Sequence, residues 1–300
     1  MKILLLGANG QVGWELQRSL SPLGELIALD RHSTDFCGDL TNLNGLADTV
    51  MRVAPDVIVN AAAYTAVDKA ESDSDSAQLV NAAAPGVLAA AAANAGAWLV
   101  HYSTDYVFDG SGSKPWVETD PTGPLNVYGK TKLEGEQRIA GQCAKHLIFR
   151  TSWVYAARGG NFAKTMLRLA RERETLHVIN DQFGAPTGAD LLADVTAHTI
   201  AHVLDRPHDA GLYHLAAGGE TTWFEYAKYV IDQSLQGQEA PEMIVKKISP
   251  VATSAFATAA QRPHNSRLNT AKLQQTFGLW LPPWQQGVSR MLAETSELKR

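Results

Sequence analysis

The sequence predicts an α/β fold, a doubly wound parallel sheet with a smaller, mostly helical lobe attached. Three observations carry this. The chain opens on a short apolar run, Lys2 to Leu6, that stops abruptly at Gly7, as a strand buried on both faces does. Short apolar runs then alternate with helical stretches as far as Arg150, the pattern of parallel strands joined by right-handed crossover helices. Beyond Arg150 the regularity weakens and helical spacing dominates.

Gly7, Gly10 and Gly13 follow the first strand at three-residue spacing, with the amphipathic stretch Gln11 to Leu20 starting among them. Glycines here turn the chain tightly, let the backbone approach a pyrophosphate and let the helix sit close to the strand. The free N–H groups of that helix start, at Gln11, Val12 and Gly13, would face the anion. Leu26 to Leu29 is the second strand, and it ends at Asp30, where such a unit places an acid to hold the adenosine ribose hydroxyls. Arg31 comes next and could pair a 2′-phosphate, so NADH and NADPH both stay open.

Leu43 to Val53 has helical spacing up to Pro55, and Asp56 to Val59 is a strand leading into the small residues Asn60-Ala61-Ala62-Ala63. Asp68 to Ala95 is an alanine-rich helix that Pro85 kinks or restarts. The strand Ala97 to His101 runs into Tyr102-Ser103-Thr104-Asp105, and Asp109 to Pro124 is a Gly-, Ser- and Pro-rich loop, long enough to suggest function. A helix from Val127 to Gln142 and a strand from His146 to Phe149 complete the regular half. In the second half Phe162 to Arg173, Leu191 to Leu204, Thr222 to Leu235, Ala271 to Phe277 and Trp284 to Leu298 read as helices. Leu176 to Ile179 reads as a strand, Asp181 to Thr187 as a loop, and Gly211 to Ala216 as a strand that returns to the main sheet. Residues 1–150, with a returning segment near 188–217, are thus expected to form a dinucleotide-binding domain. Residues 151–187 and 218–300 are expected to form a substrate-binding lobe.

Composition narrows the function. A net charge of -5 over 300 residues offers no basic footprint for nucleic acid. Lys2 and the apolar residues after it imitate a signal peptide, but Gly7, Asn9 and Gly10 interrupt the run. No other stretch reads as membrane-spanning, so a cytoplasmic protein is expected. Cys37 and Cys143 are far apart and read as two reduced thiols.

Tyr128 and Lys132 stand four apart near a helix start, which stacks both on one face and brings an ammonium beside a phenol. A neighbouring cation favours the ionised phenol and lowers its pKa, making the pair an acid–base device. A hydroxyl at the end of a preceding strand would bind the substrate oxygen, and Ser103 and Thr104 both sit there. Arg262 and Arg267 could grip a diphosphate or form surface ion pairs. Asp194, His198 and His202 share a helical face and read as ordinary surface residues.

These motifs together resemble the extended short-chain dehydrogenase/reductase family. The resemblance rests on Gly7 to Gly13, Asp30, Asn60 to Thr65, Ser103 to Gly110 and Tyr128 to Lys132. Within that family, Arg150-Thr151-Ser152-Trp153-Val154-Tyr155 and Asp181 to Thr187 are similar to the branch acting on dTDP-linked 4-keto-6-deoxyhexoses. The resemblance covers essentially the whole chain. It implies a Rossmann-like fold and reduction of the C4 ketone by NADPH or NADH, giving dTDP-L-rhamnose. Tyr128 would donate the proton, Thr104 would hold the oxygen, and Lys132 would bind the nicotinamide ribose. Asp39 and Leu40 would lie near adenine; Ala63, Tyr64, Thr65 and Tyr102 would line the cofactor; Asp105 and Trp153 would contact the sugar. The resemblance further implies a homodimer and a magnesium ion held at a subunit contact, with Glu15 and Asp190 as the matching acids. Another nucleotide-sugar reductase or epimerase, or a non-catalytic cofactor-binding subunit, are the competing functions. Asp105 is followed by Tyr106 rather than a second carboxylate, which argues against a dehydratase, and an intact Thr104, Tyr128 and Lys132 favour catalysis.

Overall fold

The computed structural model describes residues 1–236 and 242–297. Its strands are β1 (Lys2–Leu6), β2 (Glu25–Leu29), β3 (Val57–Asn60), β4 (Trp98–Thr104), β5 (His146–Thr151), β6 (Thr175–Ile179), β7 (Gly211–His214) and β8 (Lys247–Val251), besides pairs of two-residue strands. The main sheet has the order β7-β5-β4-β3-β1-β2, and every pairing in it is parallel. Helices α1 (Gln11–Leu20), α2 (Leu43–Val53), α3 (Ala84–Ala95), α4 (Val127–Gln142), α6 (Ala189–Asp205) and α8 (Ala271–Phe277) pack about it, while α5 (Phe162–Glu172), α7 (Trp223–Leu235) and α9 (Trp284–Glu297) build the separate cores of the second lobe. Leu298, the expected end of the last helix, lies outside the described residues.

The sheet is apolar on both faces because both are covered. Ile3, Leu5, Val57 and Val59 pack with Leu16 of α1 and Leu192 of α6, while Leu4, Leu6 and Ile58 pack with Val50 of α2, Leu88 of α3 and Ile139 of α4. Each such side chain removed from water contributes about 1.5–3 kcal/mol. β1 lies between β2 and β3, so consecutive connections leave β1 in opposite directions. The crevice beyond the carboxyl ends of β1 and β3 is therefore the place where an open α/β sheet binds its ligand.

Two expectations are corrected. The single helix over 68–95 is four pieces: Val67–Ala70, Ser74–Gln78, a π-helical stretch Leu79–Ala83, and α3. Pro85 has no N–H to return to the preceding turn, and a widened turn just before it relieves that loss. The continuous run Ser74–Ala95 is also long and apolar enough to cross a bilayer, which the sequence analysis overlooked. Half of its apolar window is buried within the fold, where Leu88, Ala89 and Ala92 pack beneath the sheet. In the second lobe β8 pairs with β6 in parallel, and Phe183–Gly184 pairs antiparallel with Thr221–Thr222. The lobe therefore holds more strand than expected; β8 escaped notice because Pro250 interrupts it, which a strand paired on one side only tolerates.

Candidate active site

The glycine loop forms a cradle whose tightness requires glycine. Gly7 has φ +87°, and a Cβ there would stand 2.8 Å from the Ala62 nitrogen; a Cβ on Gly13 would stand 2.0 Å from the Gly7 oxygen. No side chain caps α1, so the N–H groups of its first turn, at Gln11, Val12 and Gly13, remain available to an anion. Asp30 closes the far side at the end of β2, its carboxylate accepting from the His32 N–H at 2.8 Å and from the Asn9 amide. Those bonds, the His32 N–H first, hold its carboxyl below the usual range. Arg31 is exposed beside it, and Leu40 is buried while Asp39 accepts from the Thr41 N–H.

The segment Ala63-Tyr64-Thr65 is fixed by Asn81, a residue the sequence analysis did not single out. Its Oδ1 accepts from the Tyr64 N–H at 2.9 Å, and its Nδ2 donates to the Tyr64 carbonyl at 3.0 Å and to Thr131 Oγ1 at 3.2 Å. One buried amide in the π-helical stretch thus ties the β3 exit to α4.

On α4, Tyr128, Lys132 and Glu136 form a stripe at four-residue spacing that faces the ends of β4 and β5. Asn126 caps the helix, accepting from the Gly129 N–H at 2.8 Å and donating to the Gln261 carbonyl at 2.7 Å. Gly129 lets the helix approach the turn after β4, since a Cβ would lie 2.2 Å from the Tyr106 oxygen. Lys132 is fully buried and donates to the Tyr102 carbonyl at 2.5 Å, with His101 Nε2 at 3.0 Å. Glu136 forms a buried bidentate pair with Arg150 at 2.9 and 2.7 Å.

The electrostatics depart from expectation at one point. The Tyr128 phenol is pushed up to about 12, by burial first, while a hydrogen bond with Thr104 pulls it back and Asp105 raises it further. The expected lowering by Lys132 is absent because Nζ is turned to the Tyr102 carbonyl and His101, and burial holds the amine itself down to about 8 against the pull of Glu136. Thr104, rather than Ser103, is the hydroxyl at Tyr128. It accepts from the Tyr106 N–H at 3.1 Å and donates to Asp105 Oδ1 at 3.1 Å, whereas Ser103 is buried beside Arg150 in register. Burial pushes the Asp105 carboxyl up to about 7 against hydrogen bonds from Ser266 and Thr104. Tyr102 turns its phenol away to Thr196 Oγ1, at 2.6 Å, so it meets the Lys132 side through its carbonyl.

Trp153 follows the end of β5 by two residues. It holds φ +49°, a conformation costly for a bulky residue and often kept at functional sites. Its ring stacks on Trp223 with centroids 3.6 Å apart. Gly184 permits this, since a Cβ there would lie 2.7 Å from the ring, and Trp223 is in turn anchored by its N–H to Gln182 Oε1 at 3.0 Å. The two candidate arginines part company. Arg262 pairs with Asp68 at 2.7 Å and acts electrostatically on Tyr106, whose ring meets Tyr128 edge-on at 5.6 Å. Arg267 pairs with Glu220 at 2.6 Å and lies over the Phe183 ring.

The acids expected to hold magnesium make ion pairs within this chain. Asp190 pairs with Arg290 at 3.5 Å and Glu15 with Arg18 at 3.6 Å. The Arg290 guanidinium is stabilised by Glu294, Asp190 and Glu15 together, while burial raises the Glu15 carboxyl, Arg18 lowers it, and Asp190 and Glu294 raise it, so three acids gather about one guanidinium. Among the described residues no group of three or more His, Cys, Asp or Glu side chains is placed to hold a metal. Asp194, His198 and His202 each have protein partners, respectively Arg18, the Phe277 carbonyl and Asp209.

A parallel sheet whose switch point opens onto a glycine cradle, with a phenol and an amine one turn apart beside it, defines a short-chain dehydrogenase/reductase of the extended type. The family described as RmlD substrate binding domain matches residues 1–297. The dTDP-4-dehydrorhamnose reductases of Shigella flexneri and Escherichia coli K12 are 63% and 62% identical to this chain over 294 residues, 98% of each chain. A solved dTDP-4-dehydrorhamnose reductase from Clostridium acetobutylicum matches at TM-score 0.88 and 36% identity, covering 99% of this chain and 100% of its own. Another, from Bacillus anthracis in complex with NADP, matches at 0.87 and 36%, covering 98% and 99%. The chain belongs to the dTDP-4-dehydrorhamnose reductase family.

Proposed function

We propose that this chain reduces the C4 ketone of dTDP-4-dehydro-L-rhamnose, with NADPH or NADH, to give dTDP-L-rhamnose. The observation that carries the reading is Tyr128 and the buried Lys132 four residues apart on α4, with Thr104 at the end of β4 acting on the Tyr128 phenol. The cofactor, bound on the Gly7 to Gly13 cradle with Asp30 at its ribose, supplies the hydride. Tyr128 keeps its proton at neutral pH, because burial holds the phenol up, and gives it to the C4 oxygen as negative charge develops there. Thr104 orients that oxygen, turning its one hydroxyl proton from Asp105 toward it. Lys132 reaches the nicotinamide ribose from its place on the Tyr102 carbonyl. Asp105 accepts from a sugar hydroxyl, and the Trp153 ring supplies an apolar face for the pyranose. Arg262 stands by the diphosphate.

In this reading residues 1–150 hold the cofactor and the second lobe holds the sugar nucleotide. The protein works in the cytoplasm as a homodimer, without nucleic-acid or membrane partners; sedimentation equilibrium should give twice the chain mass. The decisive experiment follows nicotinamide absorbance with NADPH, then NADH, and freshly prepared dTDP-4-dehydro-L-rhamnose. Cofactor-dependent loss of the band with formation of a rhamnosyl nucleotide is expected. Folded, cofactor-binding protein that consumes neither cofactor would overturn the reading in favour of a binding subunit.

A further inference from the structure

At the end of β4 one hydroxyl stands among three partners, and its proton and lone pairs can be counted. Thr104 Oγ carries one proton and two lone pairs. The Tyr106 N–H lies 3.1 Å away and can only donate, so it takes one lone pair. The hydroxyl proton goes to Asp105 Oδ1, also at 3.1 Å. The second lone pair is left for the Tyr128 phenol, the third partner.

A bound substrate changes the count. A ketone oxygen only accepts, and in the proposed reaction Tyr128 turns its proton from Thr104 to that oxygen. Thr104 then serves the same oxygen only by giving up the proton that Asp105 holds. A carboxylate would keep it, because hydrogen bonds to an ionised group are roughly twice as strong as neutral ones. A neutral carboxyl reverses the bond: its O–H donates into the lone pair that Tyr128 has left, and the Thr104 proton is free for the C4 oxygen. We propose that Asp105 is a positioning residue that works as a carboxylic acid, donating to Thr104 and so releasing the Thr104 hydroxyl to the substrate oxygen. The inference deepens the reductase reading and rests on it. Asp105 is not consumed, since the hydride comes from the cofactor and the transferred proton from Tyr128.

The surroundings of the carboxyl suit the neutral form. Asp105 is 2% exposed, and among the described residues its Oδ2 is buried without a hydrogen-bond partner, which is costly for a charged oxygen and leaves an acceptor for a sugar hydroxyl. The titratable and charged groups about it are Tyr106 on its own turn, Tyr128 and Lys132 on α4, and Arg262 from the segment between β8 and α8. Neither cation is placed on the carboxyl: Arg262 is paired with Asp68 at 2.7 Å, and Lys132 Nζ donates to the Tyr102 carbonyl. Ser266 and Thr104 favour the charged form, and burial outweighs them, holding the group up to about 7.

The pH dependence of kcat/KM for dTDP-4-dehydro-L-rhamnose, at saturating NADPH, tests the linkage. Thr104→Val removes the hydroxyl and should cost about 10²-fold on the acid side, where Asp105 is neutral. That gap should close as pH rises through about 7, since the carboxylate withdraws the same hydroxyl from the wild type. Asp105→Asn keeps the shape and presents an N–H to Thr104 at every pH, so its profile should lack the step. Any fall set by Lys132, whose amine burial holds down to about 8, is common to the three proteins and cancels in their ratios. A gap between wild type and Thr104→Val that stays constant with pH means that Asp105 acts on the sugar alone, and it overturns the proposal. A step that survives in Asp105→Asn overturns it too.

Infrared difference spectra of the unliganded protein follow the proton without any turnover. Between mildly acid and alkaline pH the wild type should lose the C=O stretch of a buried carboxylic acid, and Asp105→Asn should lack that band. A wild type without the band on the acid side carries Asp105 as a carboxylate, which overturns the proposal. Failure of the wild type to reduce the ketosugar nucleotide would sink the reductase reading, while the infrared band would still report whether Asp105 holds its proton.

Discussion

The two halves of the proposed site, called its walls here, are built by different means. On one side α4 carries Tyr128, Lys132 and Glu136 on a single helical stripe, and the spacing alone puts them on one face. On the other side Trp153 is held by Trp223, Gly184 and Gln182, which come from separate segments of the chain. Under the proposed function the first wall holds the groups that exchange protons and the second presents an aromatic surface. Reaction chemistry tolerates little displacement of its groups and here sits on a regular, capped helix. Recognition of a sugar face asks for shape and area, which loops can supply if their rings are clamped.

Breaking the first wall should have the larger effect. Tyr128→Phe removes the proton donor while leaving the ring, so kcat should fall by about 10²–10⁴-fold, with NADPH affinity by fluorescence titration nearly unchanged. Equal turnover would remove Tyr128 from its role. Breaking the second wall should act on binding: Trp153→Ala removes the aromatic face and its stack, worth about 0.5–1.5 kcal/mol beyond its area, so KM for the sugar nucleotide should rise about tenfold. A fall in kcat at unchanged KM would mean that Trp153 serves the chemistry instead.

Asp105 lies beside Thr104 at the first wall, and pH separates its contribution. Its folded pKa is raised to about 7, by burial first, from 3.8 in the unfolded chain. The folded state therefore prefers the proton, and the stability linked to this group is full below the unfolded value and lost as pH rises through about 7. Asp105→Asn should raise the melting temperature more at pH 8 than at pH 5. An equal change at both would show that the carboxyl is not held protonated. The smallest effect sharpens the comparison: Asn126→Ala removes the α4 cap and should cost about 1 kcal/mol in urea unfolding, with a modest loss of kcat as the stripe frays.

The contrast also explains what could be read early. The glycine loop, Asp30, Tyr128 and Lys132 stand at spacings set by a strand, a turn or a helix, and each was visible as residue type plus interval, whereas the residues alone left Ser103 and Thr104 both open. Asn81 and Trp223 gave no such sign, because an asparagine in a helical run and a tryptophan at a helix start look ordinary until a distant segment meets them. Gly129 and Gly184 were quoted within motifs, but their reason, a carbonyl and an indole ring closer than any Cβ permits, came only from packing. Glu15 and Asp190 suited a metal by type, and that Arg18 and Arg290 pair with them came only from packing.

By itself the sequence determined the parallel α/β architecture, the anion cradle and the helical stripe, since apolar period, glycine spacing and the 3.6-residue turn are local rules. Tertiary structure alone decided the protonation of the site. Whether Lys132 lowers Tyr128 depends on where Nζ points, and that is set by the Tyr102 carbonyl and His101 on another strand. The shift of a buried group is governed by desolvation and by partners brought from far along the chain, and neither is written in the interval between two residues.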